Sequence, residues 1–134
     1  MHCVQGSHGA DFHPALARAP GDVVVRKGTV QLVDSYSGFG DAQHNAFERT
    51  ELEALLRKGG ATHVVVVGLA LDWCVSYTCK DARRLGFETF VVLDCCRGIN
   101  LEGKVEKELA QLREMGVVVV DSAAGLAGDV FARA

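Results

Sequence analysis

The stretch LDWCVSYTCKD, residues 71–81, places a cysteine just past a run of apolar residues. Cys74 falls there at the start of what the pattern makes a helix. A helix N-terminus carries partial positive charge and unsatisfied N–H groups. Both favour a thiolate, the nucleophilic form of cysteine, and the same N–H groups can hold an oxyanion during acyl transfer. Most free cysteines are small buried hydrophobes, so position alone leaves both roles open. Cys79 follows a little more than one helical turn later and reads as core. Cys95 and Cys96 follow a strand end, where packing is their ordinary role.

Lys27 closes a second apolar stretch, DVVV at 22–25. Lysine is usually solvated. At the carboxyl edge of a sheet it becomes a cation that favours a thiolate or holds developing charge. His2, His8 and His13 cluster near Asp11, but their spacing matches no standard zinc pattern. A solvated loop with incidental histidines is the plainer reading. His44 and His63 stand in no motif.

The elements that must position these groups follow from periodicity. Residues 1–21 read as loop, and DVVV as a short strand. Residues 28–48 read as mostly loop, with room for a short helix. Thr50-Glu51-Leu52-Glu53 fits a capping box, with Leu52, Leu55 and Leu56 on one face and Gly59-Gly60 as the stop. HVVVVGL (63–69) is a strand apolar on both faces, as in a parallel sheet. A helix is predicted from about Trp73 to Leu85, a strand at 89–94, a helix at 103–115 and a strand at 117–120. A short helix from about Ala123 closes the chain. Val105, Leu109, Leu112 and Met115 line the core side of the helix at 103–115. This alternation predicts right-handed βαβ units around a parallel sheet, with ligands bound beyond the carboxyl ends of its strands.

The bulk properties narrow the function. One domain fits 134 residues, 49% hydrophobic, with a net charge of −3. No basic block points to nucleic acid. No apolar run nears the roughly 20 residues of a membrane span, and the N-terminus has no signal-peptide pattern. Five cysteines without a CxxC pair fit a reducing, cytoplasmic compartment better than a disulfide framework.

Four blocks, MHCVQGSHGADFHP, RKGTVQLVDSYSGFGD, VVVVGLALDWCVSYTCKDARRLGF and VVLDCCRGIN, resemble in order the nicotinamidase family of isochorismatase-like cysteine hydrolases. The resemblance covers nearly the whole chain. It implies an α/β fold of three α/β/α layers, with a mostly parallel sheet of Rossmann-type topology. It implies hydrolysis of the small molecule nicotinamide to nicotinic acid and ammonia through a cysteine thioester. In that frame Cys74 matches the nucleophile and Lys27 the catalytic lysine. The backbone N–H groups of Ala70 and Cys74 match the oxyanion hole, with a cis peptide at Leu69–Ala70. Tyr36 and Leu69 fall in blocks that shape the substrate pocket, and His2 matches a ligand of a divalent metal, zinc above all. A homo-oligomer is a possible assembly.

The family's first strand, with its catalytic aspartate, finds no match in the sequence. Nor does the segment bearing the remaining metal ligands. Residues 1–134 are therefore expected to form one N-terminally truncated hydrolase domain, its N-terminal strands missing, its metal site incomplete and its turnover impaired. The alternatives are another cysteine amidohydrolase of the same superfamily, or a non-catalytic fragment serving as a binding or assembly module.

Overall fold

The computed structural model describes residues 3–31, 33–40 and 49–126. Three parallel strands form its sheet: β1 (His63–Leu69), β2 (Glu88–Arg97) and β3 (Val118–Val120), in the spatial order β1-β2-β3. Val65 sits beside Phe90, and Phe90 beside Val118. These are the last three strands expected from the sequence, paired as one block. Val-rich β2 is buried on both faces over Thr89–Val92, as suits a parallel strand, whereas β1, apolar on both faces in sequence, leaves Val65, Val67 and Leu69 exposed on one of them.

Helices α1 (Leu52–Lys58), α2 (Ser76–Arg84) and α3 (Lys104–Glu114) connect and cover the sheet. α2 and α3 bury Cys79 and Leu112 against Val91 and Cys96. α1 packs Leu52 and Leu56 on Phe39, Ala82 and Phe87. On the opposite face Phe90, Val92 and Val120 pack with Leu126, from the helical turn at 123–126. Layers thus lie on both sides of the sheet. Gly86, at φ +88°, turns the chain out of α2 in a conformation that side chains resist.

α2 and α3 are joined by a buried polar bridge. Glu108 of α3 accepts from the Ser76 hydroxyl and from Lys80 Nζ at 2.7 Å. Leaving either charge alone in this setting would be costly, so the pair specifies how the two helices meet.

The capping box forms only in part. Thr50 Oγ1 accepts from the Leu52 N–H at 3.3 Å, but the Thr50 N–H donates to Phe39 O and Glu53 pairs with Arg57. β2 runs past its expected end through Arg97, with Cys95 exposed and Cys96 buried. DVVV is not a strand. A strand exists through its ladder; β1 pairs with β2 alone in the sheet, and Val23 stays 67% exposed. His44 and the close of the chain beyond residue 126 lie outside the described residues.

Candidate active site

Cys74 sits where β1 hands the chain to α2. Residues Leu71–Val75 form a π-helical turn between the two, where a regular α-helical start was expected from Trp73. The Trp73 and Val75 N–H groups, on either side of Cys74, both donate to Ala70 O, at 3.0 and 3.1 Å. Wide turns of this kind are frequent at functional sites. The peptide between Leu69 and Ala70 is cis.

Lys27 comes from a segment with no buried residue of its own. Its Nζ donates to Ser35 O at 2.7 Å and lies 3.6 Å from Cys74 Sγ. The two groups are 47 residues apart in sequence. The contact places a positive charge beside the sulfur. An open cavity of about 380 Å³ runs along Lys27, lined by Cys3, Gln5, Asp11, Phe12, Arg26 and Thr29 among others.

The segment 34–39 is pinned to the same turn. Gly38 N–H donates to Thr78 Oγ1 at 2.8 Å, and Thr78 Oγ1 donates to Cys74 O at 2.6 Å. Thr50 Oγ1 donates to Gly38 O at 2.6 Å. Tyr36 stacks at a tilt on Trp73 and Tyr77, with centroids 5.2 and 5.3 Å away, and Lys104 lies over the Trp73 ring. Trp73, Tyr77 and Thr78 were not singled out from the sequence. Each acts through a partner far along the chain, so spacing carried no signal for them.

Of the expected pocket residues, Tyr36 borders the turn that carries Cys74, whereas Leu69 is 72% exposed at the end of β1. Asp72, also missed, is fully buried and accepts the N–H groups of Ile99 and Asn100. Burial would raise its pKa; those N–H groups, its own amide and the positive Lys104 outweigh that and hold it below the usual carboxylate range. Burial pushes the Cys79 thiol up to about 12, so Cys79 is a neutral core side chain at physiological pH, as read from the sequence.

His2 lies outside the described residues. Among the described residues no three His, Cys, Asp or Glu side chains gather to hold a metal ion. His8 and Asp11 approach to 3.8 Å but are solvent-exposed. The donors of the described residues do not make a metal site. No described helix is long and apolar enough to cross a membrane.

Comparison with known proteins places this geometry in a family. The model of the isochorismatase domain matches residues 1–124. A nicotinamidase of Acinetobacter baylyi is 35% identical over 121 residues, which are 90% of this chain and 56% of that protein. A solved nicotinamidase/pyrazinamidase of Acinetobacter baumanii superposes with a TM-score of 0.85 at 38% identity, covering 92% of this chain and 59% of the other. The pyrazinamidase of Pyrococcus horikoshii, solved in complex with zinc, gives 0.76 at 32% identity, covering 90% of this chain and 62% of the other. The chain thus spans a little over half the length of these relatives.

Proposed function

The chain belongs to the isochorismatase family, and from that premise we propose that it carries out nicotinamidase-type chemistry. In this reading nicotinamide is hydrolysed to nicotinic acid and ammonia through a thioester on Cys74. The observation that carries it is the 3.6 Å approach of Lys27 Nζ to Cys74 Sγ at the turn after β1. A thiol and a cation meet there, at the carboxyl end of a parallel strand, an arrangement that supports a cysteine nucleophile.

The steps follow from that arrangement. The Cys74 thiolate attacks the amide carbon and a C–S bond forms. The carbonyl electron pair moves to oxygen, which the N–H groups of Ala70 and Cys74 receive. The intermediate collapses, the C–N bond breaks, and the nitrogen takes a proton from the Lys27 ammonium to leave as ammonia. Water then adds to the thioester carbon and gives its proton to Lys27. The C–S bond breaks, releasing the acid and restoring the thiolate–ammonium pair. Tyr36, stacked on Trp73, the residue before Cys74, is proposed to flank the substrate ring.

Acylation and deacylation can be read separately. Incubation with nicotinamide, acid quench and peptide mass mapping are expected to find a nicotinoyl thioester on Cys74, with ammonia as the released product. Cys74→Ala is expected to abolish both signals. Ammonia release undiminished in Cys74→Ala would overturn the reading.

A further inference from the structure

We infer that Asp72 is a positioning residue for Cys74: its buried carboxylate fastens the nucleophile's turn to the loop that follows β2. The inference rests on the reading of Cys74 as the nucleophile.

Asp72 stands two residues before Cys74 in the π-helical turn and is wholly buried. Both of its oxygens are committed to the loop. Oδ1 accepts the Ile99 N–H at 2.9 Å, and Oδ2 the Asn100 N–H at 2.8 Å. Hydrogen bonds to an ionised acceptor are roughly twice as strong as neutral ones. The loop is held at its other end too, because Asn100 Oδ1 accepts the Val105 N–H at 3.1 Å, near the start of α3. Asn100 adopts φ +56° to make this double connection, a conformation that asparagine tolerates better than most residues.

Gly98 shows how close the joint is. A Cβ there would stand 2.3 Å from Val105 Cγ2 and 3.2 Å from Asp72 Oδ1. The loop can reach the carboxylate only with no side chain at that position. The other buried carboxylate of the body, Glu108, is satisfied by side chains of α2 and clamps helix to helix. Asp72 is satisfied by backbone, 27 and 28 residues away, at the edge of the sheet where the sulfur lies. The turn 71–75 therefore cannot slide against the end of β2 without breaking two charge-assisted bonds. That fixes where Cys74 Sγ meets Lys27.

The test is the rate at which iodoacetamide alkylates Cys74 in the full 134-residue chain, read peptide by peptide in a mass spectrometer. Exposed Cys3 and Cys95 are internal references. Asp72→Asn keeps the shape but puts an amide NH2 against one of the two backbone donors. Gly98→Ala attacks the same joint from the loop and keeps the test alive should Asp72→Asn fail to fold. Thr89→Val, at a buried residue whose hydroxyl donates to Phe87 O, is a destabilised control away from the turn. Asp72→Asn and Gly98→Ala are expected to slow Cys74 alkylation about tenfold or more, since small displacements of a reacting group are costly. Cys3 and Cys95 keep their rates, and Thr89→Val stays close to the parent. Adding Val105→Ala to Gly98→Ala removes the tightest contact and recovers most of the rate. Parent-like Cys74 alkylation in folded Asp72→Asn would overturn the inference, as would equal slowing in Thr89→Val. A parent Cys74 no faster than Cys3 and Cys95 would overturn the nucleophile reading itself, and the inference with it.

Discussion

Two regions of this chain differ in how they are held. Residues 3–31 include no buried side chain; Phe12, Leu16 and Val23 are 51%, 55% and 67% exposed. The hydrogen bonds described for residues 3–26 reach at most three residues along the chain. The body from β1 to β3 is the opposite case. Phe90, Val91 and Leu112 are fully buried there, and its backbone is paired in a parallel sheet. The candidate pair spans this divide: Cys74 belongs to the body and Lys27 to the open segment. Packing therefore sets the sulfur's position. The cation is delivered by a few polar contacts on a segment that buries little to offset its ordering entropy.

The largest effect that sharpens this contrast is in the core. Leu112 is fully buried against Cys79 and Val91, so Leu112→Ala is expected to cost about 2–5 kcal/mol in urea unfolding. A loss below about 1 kcal/mol would mean that the body is packed no better than the open segment. A smaller effect is expected where the regions meet. Thr78 Oγ1 accepts from Gly38 and donates to Cys74 O. Thr78→Val leaves both backbone groups without that partner and should cost about 1–2 kcal/mol. It should also loosen residues 34–39 from the Cys74 turn, seen as faster amide exchange at Gly38. Unchanged exchange there would show that the other contacts of the segment, Tyr36 stacking and the Thr50 bonds among them, hold it without Thr78.

The same contrast explains what the sequence could reveal. β1, β2 and α3 fall within a few residues of their expected ends, because their apolar periodicity and glycine stops are local signals and their burial agrees with them. DVVV has the composition of a strand and is none, because a strand also needs a neighbour to pair with, and composition cannot supply one. The π-helical turn left no mark in the pattern, which continues smoothly from Trp73 into α2. Cys74 and Lys27 were legible as types in suggestive places, and the resemblance joined them. Their 3.6 Å approach across 47 residues is a product of the fold. Asp72 and Thr78 stayed silent for that reason: an aspartate or threonine near a helix start usually serves local backbone, and here Asp72 bonds a loop 27 and 28 residues on.

The smallest expected effect tests the open segment itself. Val65, Val67 and Leu69 of β1 are exposed, as are Phe12 and Val23, so apolar surface remains on both sides of the divide without the two covering each other. If residues 3–31 contribute contacts only through Lys27 and its surroundings, Phe12→Ser and Val23→Ser remove little buried area. Each should shift the unfolding free energy by no more than about 0.5 kcal/mol. Lys27→Met should be equally mild for stability while slowing Cys74 alkylation, because the charge acts on the sulfur and not on the core. A cost of about 2 kcal/mol at Val23, the size expected for burying a valine, would break the comparison: it would mean that 22–25 buries itself against the exposed face of β1 in solution, and that packing positions Lys27 as it does Cys74.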